Sequence, residues 1–185
     1  MALNAIASEQ SNATSNTSDS VTRLLNYAAT HLDSVLKFSA RNMVLHIHSY
    51  ASYLCKSNSK SRSGGHYFLS NRTIDPNKPP PRQPTNNYAI HSECCIQCNV
   101  LTSNAKAEVG CLFINGKKSV PLRATLTKMG HPQPPTPIQT YNSTANGIVN
   151  SSIFQVQSKT VDMRFYWVRY KVNQNQSLVY WFPGS

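Results

Sequence analysis

From residue 42 onward the chain switches between two hydrophobic rhythms, a period of two and a period near 3.6. Residues 42–49 alternate apolar and polar positions and predict a first strand that ends at Tyr50 and lies centrally in a sheet. A second strand is predicted over Gly64–Ser70, after a basic, Ser-rich turn in which Gly64 and Gly65 take part, and a third over residues 88–100. The Pro-rich stretch Asp75–Pro84 between them cannot be regular, because proline lacks the backbone donor and fixes φ.

Asn104 to about Leu126 is the strongest helix: Ala105, Val109, Leu112, Phe113, Val120 and Leu126 recur near helical period, with Pro121 expected to kink or break it. Pro132–Pro137 reads as a rigid connector into a short strand, Ile138–Tyr141. Residues 142–149 predict a short helix, and 160–172 another with Met163, Trp167 and Val168 inward. A last strand is predicted over Leu178–Phe182. Upstream, residues 1–20 are rich in Ser, Asn and Thr and read as poorly ordered. Asp19 or Ser20 would cap a helix from about Val21 to Thr30, with Val21, Leu24, Leu25 and Ala28 on one face.

Strand runs followed by helix–strand alternation imply a mixed α/β (α+β) domain, helices packed on a mixed sheet. The length, 185 residues, suits one such domain, 42–185, with an N-terminal arm over 1–41. Hydrophobic content of 39% supports a packed core. No apolar run approaches the roughly 18 residues a membrane span needs, so no membrane partner is expected. The N-terminus has no basic, apolar leader, so the chain is expected to be intracellular, in cytoplasm or nucleus. The Asn-X-Ser/Thr sites at Asn12, Asn16, Asn71, Asn142, Asn150 and Asn175 are then chance products of composition.

Charge changes the picture. Eighteen Lys and Arg against seven Asp and Glu give a net charge of +11. That balance favours polyanion partners, nucleic acid above all, through phosphate neutralisation; loss of acids without a selected partner is the alternative. Lys56, Lys60, Arg62, Lys78 and Arg82, with Tyr53 and Tyr67 nearby, are candidates for a nucleic-acid surface, or simply for a solvated face. Cys95 and Cys98 have the separation of a zinc knuckle, but no second ligand pair matches and a strand points neighbours to opposite faces. The cysteines of His91–Cys98 therefore read as small buried apolar residues. His46 and His48 share a strand face, as metal ligands or as core or surface histidines.

Three segments carry a resemblance. They are His48-Ser49-Tyr50-Ala51-Ser52, Ala105-Lys106-Ala107-Glu108 and Gln139-Thr140-Tyr141-Asn142, joined by the connector phrase Gly130–Gln139. Together they resemble the ribonuclease H domain of copia-type LTR retrotransposon Pol polyproteins, where the motifs read roughly His-Ser-Asp-Ala-Ser, Ala-Glu-Ala-Glu and Gln-Thr-Asp-Asn. The resemblance implies a ribonuclease H-like fold with a five-stranded mixed sheet. Residues 1–41 would be the arm connecting to reverse transcriptase.

The family's site is a cluster of four carboxylates holding Mg2+ or Mn2+, with the fourth on a helix after the last strand, so the resemblance implies a domain truncated before that helix. Of that cluster only Glu108 matches; its alternative reading is an exposed helix carboxylate. Tyr50 and Tyr141 stand where aspartates would be, and Tyr170 fills another place where relatives carry Asp. Asp and Tyr codons differ by one base, so single-base changes would explain all three. A phenol with a pKa near 10 brings neither the charge nor the space of a carboxylate, and magnesium asks for several oxygen ligands. No metal cofactor is therefore expected, and Glu108 would be a weak remnant ligand. The reading is a catalytically dead, retrotransposon-derived ribonuclease H-like domain with salt-sensitive binding to RNA–DNA hybrid or other nucleic acid. The alternatives are an active hybrid endonuclease using substitute ligands, and a host-adopted binding or scaffold module.

Overall fold

A computed structural model describes residues 2–39, 41–71, 74, 87–150 and 159–183, with no side-chain description for 57 and 159–162. The predicted Asp75–Pro84 loop, with Lys78 and Arg82, lies outside the described residues. Two compact units divide the chain, Met1–Lys37 and Phe38–Ser185.

The first unit contains helices α1 (Ala2–Ala7) and α2 (Ser15–Thr30). Helix α2 begins six residues before the expected start, inside the segment read as poorly ordered. Its start is fixed by Thr14 and Thr17: the Thr14 N–H donates to Thr17 Oγ1 at 3.1 Å, and the Thr17 hydroxyl donates to Glu9 Oε2 at 3.0 Å. These bonds satisfy donors that a helix N-terminus leaves open, which offsets the weak helix propensity of Ser, Asn and Thr. Asp19 and Ser20 are therefore helical rather than capping residues. Leu25, placed on the apolar face by its spacing, is exposed.

Among the described residues, the second unit holds a five-stranded mixed sheet and three α-helices. Its elements are β1 (Val44–Lys56), β2 (Lys60–Ser70), β3 (His91–Ile96), α3 (Asn104–Lys128), β4 (Thr136–Thr140), α4 (Ser143–Asn150), α5 (Lys159–Asn173) and β5 (Ser177–Trp181). Strand order is β3-β2-β1-β4-β5, with β1 central as expected. The β1–β2 and β2–β3 pairs are antiparallel, while β1–β4 and β4–β5 are parallel.

The register sets two faces. Leu45 and Ile47 of β1, Tyr67 of β2, Ile138 of β4 and Val179 of β5 form one cluster with Val109 and Leu112 of α3, Ala145, Ile148 and Val149 of α4, and Phe165 and Val168 of α5. Fully burying one such aliphatic side chain contributes about 1.5–3 kcal/mol. The alternate positions of β1 and β2, namely His46, His48 and Tyr50 with Phe68, His66 and Gly64 opposite them, make up the other face. His46 is buried, and His48 stands edge-on to Phe68 with ring centroids 4.8 Å apart.

Several boundaries depart from the sequence reading. Strand β1 runs six residues beyond Tyr50, because β2 starts at Lys60 and the two pair through a hairpin with an irregularity between Ser52 and Lys56. Gly64 and Gly65 consequently lie inside a strand, not in a turn. Strand β3 is shorter than residues 88–100, and β4 starts at Thr136 with Pro137 buried within it.

Pro121 does not end α3. It sits on the solvent face beside exposed Lys117, whose carbonyl loses the helical partner but can reach water, and this lowers the penalty of an internal proline. Met163 is 78% exposed rather than inward; the buried stripe of α5 is Phe165 and Val168, with Trp167 and Val172 partly covered. Of the cysteines only Cys111 is buried. Cys94 and Cys95 are half-buried and Cys98 is exposed, because an edge strand leaves its residues partly open to solvent. No described helix is long and apolar enough to cross a membrane.

The histidine face gives a pH test. Burial, with smaller contributions from His46 and His66, lowers the His48 pKa from 6.5 to about 4. Between those values the unfolded chain binds the proton that the folded chain refuses, so stability falls as pH drops from 6.5 to 4. The slope in that window is expected to reach at most about 1.4 kcal/mol per pH unit. Urea unfolding of the chain and of His48→Phe checks it: the variant should lose most of that slope, and an equal slope in both contradicts the assignment.

Candidate functional site

The three motif positions meet where β1, β4 and the first turns of α3 come together. Ser103 caps α3 by accepting from the Lys106 N–H at 3.3 Å, which sets the helix start at Asn104. Glu108 then falls on the sheet side of its second turn and is 4% exposed. Its Oε1 accepts from the Ala51 N–H at 3.0 Å, and its Oε2 accepts from the Thr140 hydroxyl at 3.4 Å. These are the neighbours of the two tyrosines, Ala51 just after Tyr50 and Thr140 just before Tyr141. The exposed-carboxylate reading of Glu108 is therefore wrong. Burial pushes its carboxyl above the ordinary range, partly opposed by the bonds from Ala51 and Thr140.

The Tyr50 side chain packs against β2. Its ring lies across β2, where a Cβ on Gly64 would overlap Tyr50 Cζ and come within 2.7 Å of its hydroxyl. A side chain at residue 64 would have to move the ring from this position. The ring also stacks near His66, with centroids 6.4 Å apart. Burial raises the Tyr50 pKa, assisted by the Cys94 and Cys111 thiols and the Tyr141 phenol, so the group is neutral at physiological pH. Tyr141 is 42% exposed in the turn into α4, whose N-terminus is capped by Asn142 Oδ1 accepting from the Ala145 N–H at 2.9 Å.

This donor set does not fit a pair of divalent ions. Mg2+ is usually held through one or two carboxylates together with substrate phosphate and water, and two ions about 4 Å apart need several such ligands between them. Glu108 is a single buried carboxylate already committed to a backbone N–H and a hydroxyl. No group of three or more His, Cys, Asp or Glu among the described residues is arranged to hold a metal.

The described basic candidates lie on the β1–β2 hairpin. Lys56 and Lys60 pair across the β1–β2 hairpin. Arg62 is buried, because β2 lies inside the sheet and pairs Arg62 with both Ser52 and Ile96. Tyr67 is fully buried in the core, donating to Asn115 Oδ1 at 2.9 Å, and burial raises its pKa. Neither Arg62 nor Tyr67 belongs to an open surface. Sequence reasoning missed Asn115, whose amide donates to Ser49 Oγ at 2.9 Å and to the Gly64 carbonyl at 3.0 Å. The signal available was a polar residue at a helical position otherwise reading as core.

No family model and no curated protein matches the sequence. Solved structures do match the fold. The N-terminal ribonuclease H domain of a Mycobacterium tuberculosis protein, solved as a fusion with maltose-binding protein, superposes with a TM-score of 0.50 at 12% identity, over 76% of this chain and 83% of that one. The LC11 ribonuclease H1, solved in complex with an RNA/DNA hybrid, gives 0.49 at 10% identity over 75% and 85%. Ribonuclease H1 of Halobacterium salinarum gives 0.44 at 8% identity over 78% and 86%. At 12% identity the first of these likenesses is one of fold: the mixed five-stranded sheet with its helices has a ribonuclease H-like fold.

If Glu108 marks the metal position, returning carboxylates to its neighbours should restore affinity. Tyr50→Asp with Tyr141→Asp is expected to raise Mn2+ affinity at least about tenfold in calorimetric titration, an effect worth about 1.4 kcal/mol. Unchanged affinity, with the variant folded, would show that the ligand position lies elsewhere.

Proposed function

We propose that this chain is a degenerate ribonuclease H-like domain, descended from a copia-type retrotransposon Pol polyprotein, which has lost hydrolysis and keeps a capacity to bind nucleic acid. The observation that carries the reading is the Glu108 carboxylate. It is buried and hydrogen-bonded between Ala51 and Thr140, with a tyrosine preceding the first and following the second. The motif resemblance puts metal-binding aspartates at both tyrosine positions. Two-metal hydrolysis requires ions that stabilise attacking and leaving oxygens together. A lone acid with a raised pKa cannot recruit that pair, so no hydrolytic step is assigned to these residues. What the chain's own groups do is keep the scaffold closed.

Binding is argued from charge. A net +11 on 185 residues attracts phosphates without needing a metal. Binding of this kind weakens with salt as counterion release predicts. With about three phosphate contacts, affinity for an RNA–DNA hybrid should drop on the order of 40-fold between about 50 and 200 mM salt.

Both halves can be tested on one labelled hybrid. The chain should leave it intact with Mg2+ or Mn2+ on a denaturing gel, while shifting its anisotropy in a salt-dependent way. Metal-dependent cleavage that disappears in Glu108→Gln would overturn the inactive reading. Absent or salt-independent binding would remove the nucleic-acid half and favour a scaffold role.

A further inference from the structure

Helix α5 presents an aromatic and cationic face that the site described above does not use. Along it Met163, Tyr166 and Tyr170 recur at three- and four-residue spacing and are 78%, 61% and 56% exposed, on the side away from buried Phe165 and Val168. An open cleft of about 690 Å3 is lined by Tyr166, Trp167, Arg169, Tyr170 and Asn173. Three cations of the helix lie over aromatic rings, one of them over rings of this face. Arg169 lies 5.8 Å from the Phe165 ring centroid, and Arg164 lies 5.8 Å from that of Phe113 in α3. Lys171 sits 5.6 Å from the centroids of both Trp167 and Tyr170. Exposed aromatic rings on a helix that also carries arginine and lysine are an unusual use of surface, since large aromatics are normally covered.

We propose that this face binds single-stranded nucleic acid, with bases stacking on Tyr166 and Tyr170 and phosphates lying against Arg169 and Lys171. The inference rests on the nucleic-acid reading above and assigns it a surface and a preferred form of ligand. Stacking needs unpaired bases, whose faces are hidden in a duplex or hybrid; it tolerates any base, because every base has a π-face. The local cations supply the complementary charge, consistent with the +11 of the whole chain. Lys171 lies over the Tyr170 and Trp167 rings, which places a cation beside one of the two stacking positions.

Fluorescence anisotropy with labelled oligouridylate, oligothymidylate and an RNA–DNA hybrid, on the full chain, tests it. Tyr166→Ala with Tyr170→Ala should weaken both single strands at least about tenfold and change hybrid binding less than about twofold. Tyr166→Phe with Tyr170→Phe should bind as the parent does, since rings and not hydroxyls are used. Arg169→Gln with Lys171→Gln should reduce the salt slope for single strands by roughly 1.4, about 0.7 for each phosphate left without its cation. Trp167 fluorescence should change on binding in the parent chain and much less in the double alanine variant. Two results overturn the assignment. A folded double alanine variant that keeps full single-strand affinity does so, and so does a parent chain that binds hybrid but no single strand, which leaves the proposed function standing. A parent that binds none of the three probes removes the proposed nucleic-acid role itself.

Discussion

Helix α3 and strand β2 meet most closely where the Asn115 side chain lies over Gly65. A Cβ there would overlap Asn115 Oδ1 and lie 2.8 Å from its Cγ, so any other residue would displace that amide from its partners. In the space that Gly65 leaves, the Asn115 amide is satisfied on both sides. Its oxygen accepts from Tyr67, and its nitrogen donates to Ser49 and to the Gly64 carbonyl. A buried amide is stable only when so paired, since each missing partner costs about 1–3 kcal/mol. The knot joins β1, β2 and α3 at one point and so fixes how the helix is placed along the strands. Glu108 lies about two helical turns earlier, and thus on the same side of α3. Its contact with Ala51 follows from the placement of Asn115.

On the proposed reading, that dependence explains how a site can keep its shape without its chemistry. The backbone positions around Glu108 are set by packing and by the polar knot, neither of which involves the Tyr50 or Tyr141 side chains. A tyrosine at residue 50 is tolerated because Gly64 provides a flat surface for the ring. Tyr141 is tolerated for a different reason: it sits at a partly exposed turn. What remains is a carboxylate used structurally, bridging two strands through an N–H and a hydroxyl, in a chain whose remaining charge is overwhelmingly positive.

Much of this was legible in the sequence. Period-two alternation locates the central strand, and the apolar repeat after residue 104 locates α3. The three motif segments point to positions that the fold brings together. The failures have physical causes. Residues 15–20 are poor helix formers rescued by a reciprocal Thr14–Thr17 cap, which propensity alone does not show. Pro121 is accommodated because the carbonyl it orphans belongs to an exposed residue, and exposure is a tertiary property. Arg62 reads as a surface group because the apolar pattern reveals only the second half of β2; once the strand starts at Lys60, it falls inside the sheet. Tyr67 lies in the predicted strand, but alternation does not say that its face is the one covered by α3. Hydrophobicity alone would turn Met163 inward, although the helical phase set by Phe165 and Val168 turns it to solvent. Asn115 leaves only a faint mark in the sequence, a polar residue at a core position of the helix, because the role of a buried amide shows only through its partners.

The central claim is that Glu108, with phenol-bearing neighbours, forms no divalent-metal centre. Anomalous diffraction from crystals of the intact chain grown with Mn2+ and an RNA–DNA hybrid addresses it directly. The expected map has no anomalous peak within bonding distance of the Glu108 carboxylate. A pair of peaks about 4 Å apart beside Tyr50 and Tyr141, bridged by a hybrid phosphate, would contradict it.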